Sequence, residues 1–264
     1  MLKASALAVA AGVMLAGSAA ATTQLRLHWN DCSLGASAQS VTTFLCDDDT
    51  SHFRLVGSFV PDVDLPLVYL QATIDMEPCG GADPSSWWQM QDEGCRAGSL
   101  SATATVPGST CPNPWPASVL VLVADRYPFA SSTTNASRVS VACIVPAADS
   151  IHLAAGTEVT AFQIVIDSRH TTSADAPRCT GCEQSVCFAW WECTIGWGSN
   201  SDQQIYVRSA NATAAWRCPT TAAVDIGTGT PHGSLGGGIV GCTLGECPVD
   251  TRRATWGRVR SLYR

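Results

Sequence analysis

Hydrophobic and polar positions alternate with a period of two along much of this chain. Leu25, Leu27 and Trp29 alternate with Gln24, Arg26 and His28. Phe53, Leu55, Gly57 and Phe59 make the next stripe, then Val68, Leu70, Ala72, Ile74 and Met76 opposite Tyr69, Gln71, Thr73 and Asp75. A strand turns successive side chains to opposite faces, so this period predicts half-buried strands. Further short runs occupy 100–106, 119–124, 139–145, 159–166, 186–195, 205–208 and 213–218. They are rich in Val, Ile, Thr and aromatic residues and end at Gly, Pro, Asp, Ser or Asn, as strands do. No segment before residue 250 sustains a helical period. The expected fold is therefore all-β: a two-sheet antiparallel sandwich, jelly-roll or immunoglobulin-like, of about ten strands.

The first 21 residues break from this pattern. Lys3 precedes an apolar stretch from Ala6 to Ala16, and Ala19, Ala20 and Ala21 offer a small-residue cleavage site. That is the anatomy of a secretory signal peptide. In the remainder the longest apolar run, 119–124, is too short to cross a bilayer. All 13 cysteines follow the signal, and an exported chain meets an oxidising compartment, so disulfides are expected. An odd count allows six intramolecular bridges and leaves one thiol. Spacing favours local pairs: Cys32 with Cys46, Cys95 with Cys111, and Cys242 with Cys247. Cys143, Cys179, Cys182 and Cys187 are further disulfide candidates. The Cys179-x-x-Cys182 spacing also suits zinc or redox exchange, but no second such pair follows and the compartment favours bridges.

Composition then divides the mature chain. Residues 22–218 form the expected β-sandwich domain. From Pro219 onward lie nine of the 22 glycines, which marks 219–250 as a Gly-rich extension. In 251–264, Trp256, Val259 and Leu262 recur at helical spacing among Arg258, Arg260 and Arg264. This reads as a short basic amphipathic segment able to dock on a partner. From residue 22 to 250 there are nine arginines against all 22 acidic residues, a net charge of −13. Such a body repels phosphates and argues against nucleic acid.

Candidate chemistry is sparse. Five histidines occur, without a Gly-x-Ser-x-Gly elbow or a His-Glu-x-x-His pair. Ser168 and His170 are too close along the chain for triad geometry. The clustered acids Asp47, Asp48, Asp49, Asp62 and Asp64 offer hard oxygen ligands of the kind Ca²⁺ takes; no other cofactor is implied. The aromatic pairs Trp87–Trp88 and Trp190–Trp191 carry the better cue. Neighbours on a strand face opposite ways, so one member of each pair is expected to point outward, as in a sugar-stacking surface.

At the carboxyl end, Thr255-Trp256-Gly257-Arg258-Val259-Arg260-Ser261-Leu262-Tyr263-Arg264 resembles a terminal motif of uncharacterised secreted, disulfide-rich bacterial β-sandwich proteins. Leu55-Val56-Gly57-Ser58-Phe59-Val60-Pro61, Trp87-Trp88-Gln89 and Cys179-x-x-Cys182-x₄-Cys187 are similar to the body of that group. The resemblance implies a bacterial exported protein with a docking or address peptide at its end, and no known activity. The expectation is a secreted, non-enzymatic binding or structural protein of the cell surface or extracellular space, whose partner is a surface component or a glycan. The alternatives are a carbohydrate-binding module using exposed tryptophan and a secreted hydrolase with dispersed carboxylates.

Overall fold

The structure, a computed structural model, describes residues 23–43, 46–78, 83–126, 137–172, 178–197, 204–208 and 213–217. Thirteen strands occur among them: β1 (Gln24–Trp29), β2 (Val41–Thr43), β3 (His52–Val60), β4 (Leu65–Leu67), β5 (Tyr69–Pro78), β6 (Leu100–Thr103), β7 (Leu120–Arg126), β8 (Ser137–Ile144), β9 (Ile151–Leu153), β10 (Val159–Asp167), β11 (Val186–Gly196), β12 (Gln204–Arg208) and β13 (Thr213–Arg217). The smaller sheet runs β1-β3-β10-β6. The larger runs β2-β13-β11-β5-β8-β7, with β12 also on β11, and β4 pairs with β9 apart from both. Every pairing is antiparallel except β13 with β2. The all-β sandwich expected from the two-residue period is the fold.

Each sheet turns its apolar stripe inward. Leu25, Leu27 and Trp29 meet Phe59, Phe162 and Ile164 from the smaller sheet, and Leu70, Ile74, Val141, Phe188, Trp190 and Ile195 from the larger. Two aromatic pairs join the layers edge to face: Phe162 with Trp190 at 4.9 Å between centroids, and Trp29 with Phe188 at 5.5 Å. Each such pair adds roughly 0.5–1.5 kcal/mol beyond its buried area.

The strands absent from the expectation are β2, β4 and β9, three residues each. A segment that short completes barely one period, so alternation cannot mark it. Bulges in β10 between Thr160 and Phe162 and in β11 between Trp190 and Glu192 each insert a residue and shift the phase of the stripe.

Candidate functional site

The tryptophan pairs part company in the structure. Trp87 and Trp88 lie on a single 3-10 turn, Ser86–Trp88, and both are fully buried. A turn of that kind has no two-face alternation, so the expectation that one of them points outward fails. Trp87 donates from Nε1 to Thr171 Oγ1 at 2.8 Å, and Trp88 donates from Nε1 to the Gln184 carbonyl at 3.2 Å. The buried Arg96 guanidinium lies 3.5 Å from the Trp87 ring centroid and donates to the Trp87 and Arg169 carbonyls. Burial lowers its pKa to about 9, which still leaves a cation at neutral pH. This corner is a packing node.

The second pair divides as expected. Trp190 is fully buried and donates from Nε1 to the Glu192 carbonyl at 3.0 Å. Trp191, the extra residue of the β11 bulge, is 42% exposed. Glu192, next in the chain, accepts at Oε2 from the hydroxyl of Tyr206, which is 52% exposed. Tyr206 stands opposite Thr194 and diagonal to Glu192 across the β11–β12 pair.

Register extends this cluster into rows over the outer face of the larger sheet. One row is Tyr206, Thr194, Gln71, Ala142 and Leu122, from β12 through β11, β5 and β8 to β7. The neighbouring row is Gln204, Gly196, Tyr69, Ile144 and Leu120. Leu120, Leu122 and Ile144 are exposed. Tyr69 lies on Gly196, where a β-carbon would come 2.2 Å from the ring, and its hydroxyl bonds Gln204. Tyr206 and Glu192 were not singled out from sequence, although the polar slot of Tyr206 between Ile205 and Val207 marks it as outward-facing.

The cysteines pair at long range. The bridges are Cys32–Cys111, Cys46–Cys182 and Cys95–Cys179, and Cys187 is disulfide-bonded as well. The expected pairs Cys32–Cys46 and Cys95–Cys111 are thereby corrected: strands far apart in sequence are neighbours in the sheets. Cys179 and Cys182 bond different partners and so share neither a metal nor a bridge. Cys143, a disulfide candidate from sequence, is a buried thiol, as is Cys193. Burial pushes the Cys143 thiol up to about 12 and raises that of Cys193 well above its usual value.

The acids serve the loops. Asp48 accepts from Thr50 N, Ser51 N, Ser51 Oγ and Ser168 Oγ, which hold its carboxyl well below the usual range. Asp49 accepts from Thr172 N and Oγ1, Asp62 from Thr23 Oγ1, and Asp64 from Ala155 N. A calcium ion at Asp48 and Asp49 would compete with those donors for the carboxylate oxygens. Ser168, committed to Asp48 and Ser51, has no triad role with His170.

Among the described residues, one set of three metal-type donors converges within 4.8 Å: Cys32, Cys111 and Glu158. Both sulfurs are spent in the bridge. Glu158 accepts from Arg26 Nη1, Ser33 N, Ser33 Oγ and Ser58 Oγ. Burial alone would raise its pKa, but the serine bonds and the Arg26 charge outweigh it and hold the group low. His28 sits on the same outer face of the smaller sheet, partly buried rather than at the surface, with Nδ1 unpartnered. Burial lowers its pKa.

The signal segment 1–21, Cys242, Cys247, the 219–250 extension, and the tail residues Trp256, Arg258, Val259, Arg260, Leu262 and Arg264 lie outside the described residues.

No family model and no curated protein matches the chain. Among solved structures it is similar to "The unique CBM3- of Hungateiclostridium clariflavum", at 9% identity and a TM-score of 0.27, over 70% of this chain and 99% of that one.

Proposed function

We propose that this is an exported, disulfide-stapled, non-catalytic binding protein that holds a glycan on the outer face of its larger sheet. The observation that carries the reading is the exposed pair Trp191 and Tyr206 flanking Glu192 on an open sheet surface. Large exposed aromatic groups on a folded surface mark interaction sites. Rings with hydroxyl, amide and carboxylate groups between them stack on a sugar face and bond its hydroxyls. Trp191 inherits the role that the sequence shared among four tryptophans.

Three long-range bridges support export to an oxidising compartment. The engagement of Asp48, Asp49, Ser168 and Glu158 in internal bonds favours binding over hydrolysis. The basic tail 251–264 is the attachment element in this reading; deleting 252–264 should move the protein from the surface-bound to the released fraction, and unchanged partitioning removes that role.

A glycan array with wild type and Trp191→Ala tests the platform. The expected result is selective glycan retention by the wild type, weakened about tenfold or more in the variant. An array with no glycan bound overturns the reading.

A further inference from the structure

Two adjacent rows on the outer face of the larger sheet, the Tyr206–Leu122 row and the Gln204–Leu120 row, do not share the body's negative charge. The acids Asp75, Glu77 and Glu192 take outward register positions on this face outside both rows, as does Arg138. Residues 22–250 together contain nine arginines and 22 acids, yet no acid falls in those two rows of this surface. Charge on it is also neutralised locally: Arg138 forks onto Asp75 through Nε at 2.6 Å and Nη2 at 3.0 Å.

To one side of these groups the central row carries no charge at all. Tyr206, Thr194, Gln71, Ala142 and Leu122 cross four strand spacings, about 19 Å, with an aromatic ring at one end and an aliphatic terrace at the other. The terrace is Leu122 with Leu120 and Ile144, all exposed.

Resting on the glycan reading, we infer that the ligand is an uncharged oligosaccharide or polysaccharide lying across the strands along this row. A polyanion meets the field of the acidic body on approach. A polycation gains from that field but finds no carboxylate in either row to pair with. A neutral chain meets neither effect, stacks at Tyr206 and Trp191, bonds Thr194 and Gln71, and rests its apolar edges on Leu122. The length of the row calls for several sugar units.

The test uses the full chain with a graded series of neutral β-glucan and mannan oligosaccharides, polygalacturonate, a sulfated glycan and chitosan, each at low and high salt. The expected result is binding of a neutral series that tightens with chain length and changes by less than about twofold with salt. Gln71→Glu places one charge in the middle of the row at an exposed site, and it is expected to weaken neutral binding about tenfold or more with an unchanged melting temperature. Binding confined to charged glycans, abolished by salt, overturns the inference and leaves the glycan platform standing. Equal affinity of wild type and Gln71→Glu for the neutral series also overturns it. No binding to any glycan removes both.

Discussion

Phe162 occupies the space that a side chain at Gly57 would need. A β-carbon built on Gly57 would lie 2.4 Å from the ring's Cζ, and the two residues are direct neighbours across β3 and β10. The same ring packs edge to face on Trp190 of the opposite sheet. The ring cannot retreat without breaking that contact. Gly57→Ala is therefore expected to cost about 1–3 kcal/mol, read as a lower urea midpoint at unchanged slope. An unaltered midpoint would mean that the ring swings aside freely.

Cys46 and Cys182 bridge a separation of 136 residues. On the chain-entropy account, a loop of that size restrains the unfolded chain by roughly 5 kcal/mol. Replacing both cysteines with serine should remove a large part of that stability in denaturant titration. A loss under about 1 kcal/mol would contradict the account.

Cys143 pairs with Leu70 and Cys193 with Ala72, on opposite sides of β5. Two ladder spacings put their backbones roughly 10 Å apart, beyond the reach of a disulfide. Both thiols are buried with raised pKa values, so the reactive thiolate is scarce at neutral pH. The peptides containing Cys143 and Cys193 should resist alkylation in the native protein and label on unfolding without reductant. Mass spectrometry reads both states, and rapid native labelling of either peptide refutes the burial argument.

Glu158 has its pKa held below the ordinary 4.5, so its ionised form favours the fold. With a depressed folded pKa, that contribution is complete above the unfolded value and is lost as pH falls from there through the lower folded value. Glu158→Gln should therefore lower the melting temperature most near neutrality. The gap from wild type should close as pH drops below about 4.5. A gap that stays constant to pH 3 or widens there would reverse the sign and refute the Arg26–Glu158 linkage.

Most of the β architecture was legible as period. Stripes such as Leu25-Leu27-Trp29 and Leu70-Ala72-Ile74-Met76 have only one face to bury, and local alternation reports it directly. Glu192 and Tyr206 come together only because β12 folds back on β11, and neither residue signals that from its own segment. Trp88 shows the converse: an adjacent aromatic pair reads as one in and one out only if the backbone is extended there, and a 3-10 turn removes that premise.

By itself the amino-acid order determined the class of fold, the inward stripes and the abundance of sulfur available for bridges, since each follows from neighbours within a few residues. Tertiary structure alone decided which sulfurs meet, that Cys143 and Cys193 stay reduced, and that Trp191 rather than Trp88 faces solvent. Those outcomes depend on which strands lie side by side and on where a bulge shifts the phase, distances set by the packing of the two sheets against each other.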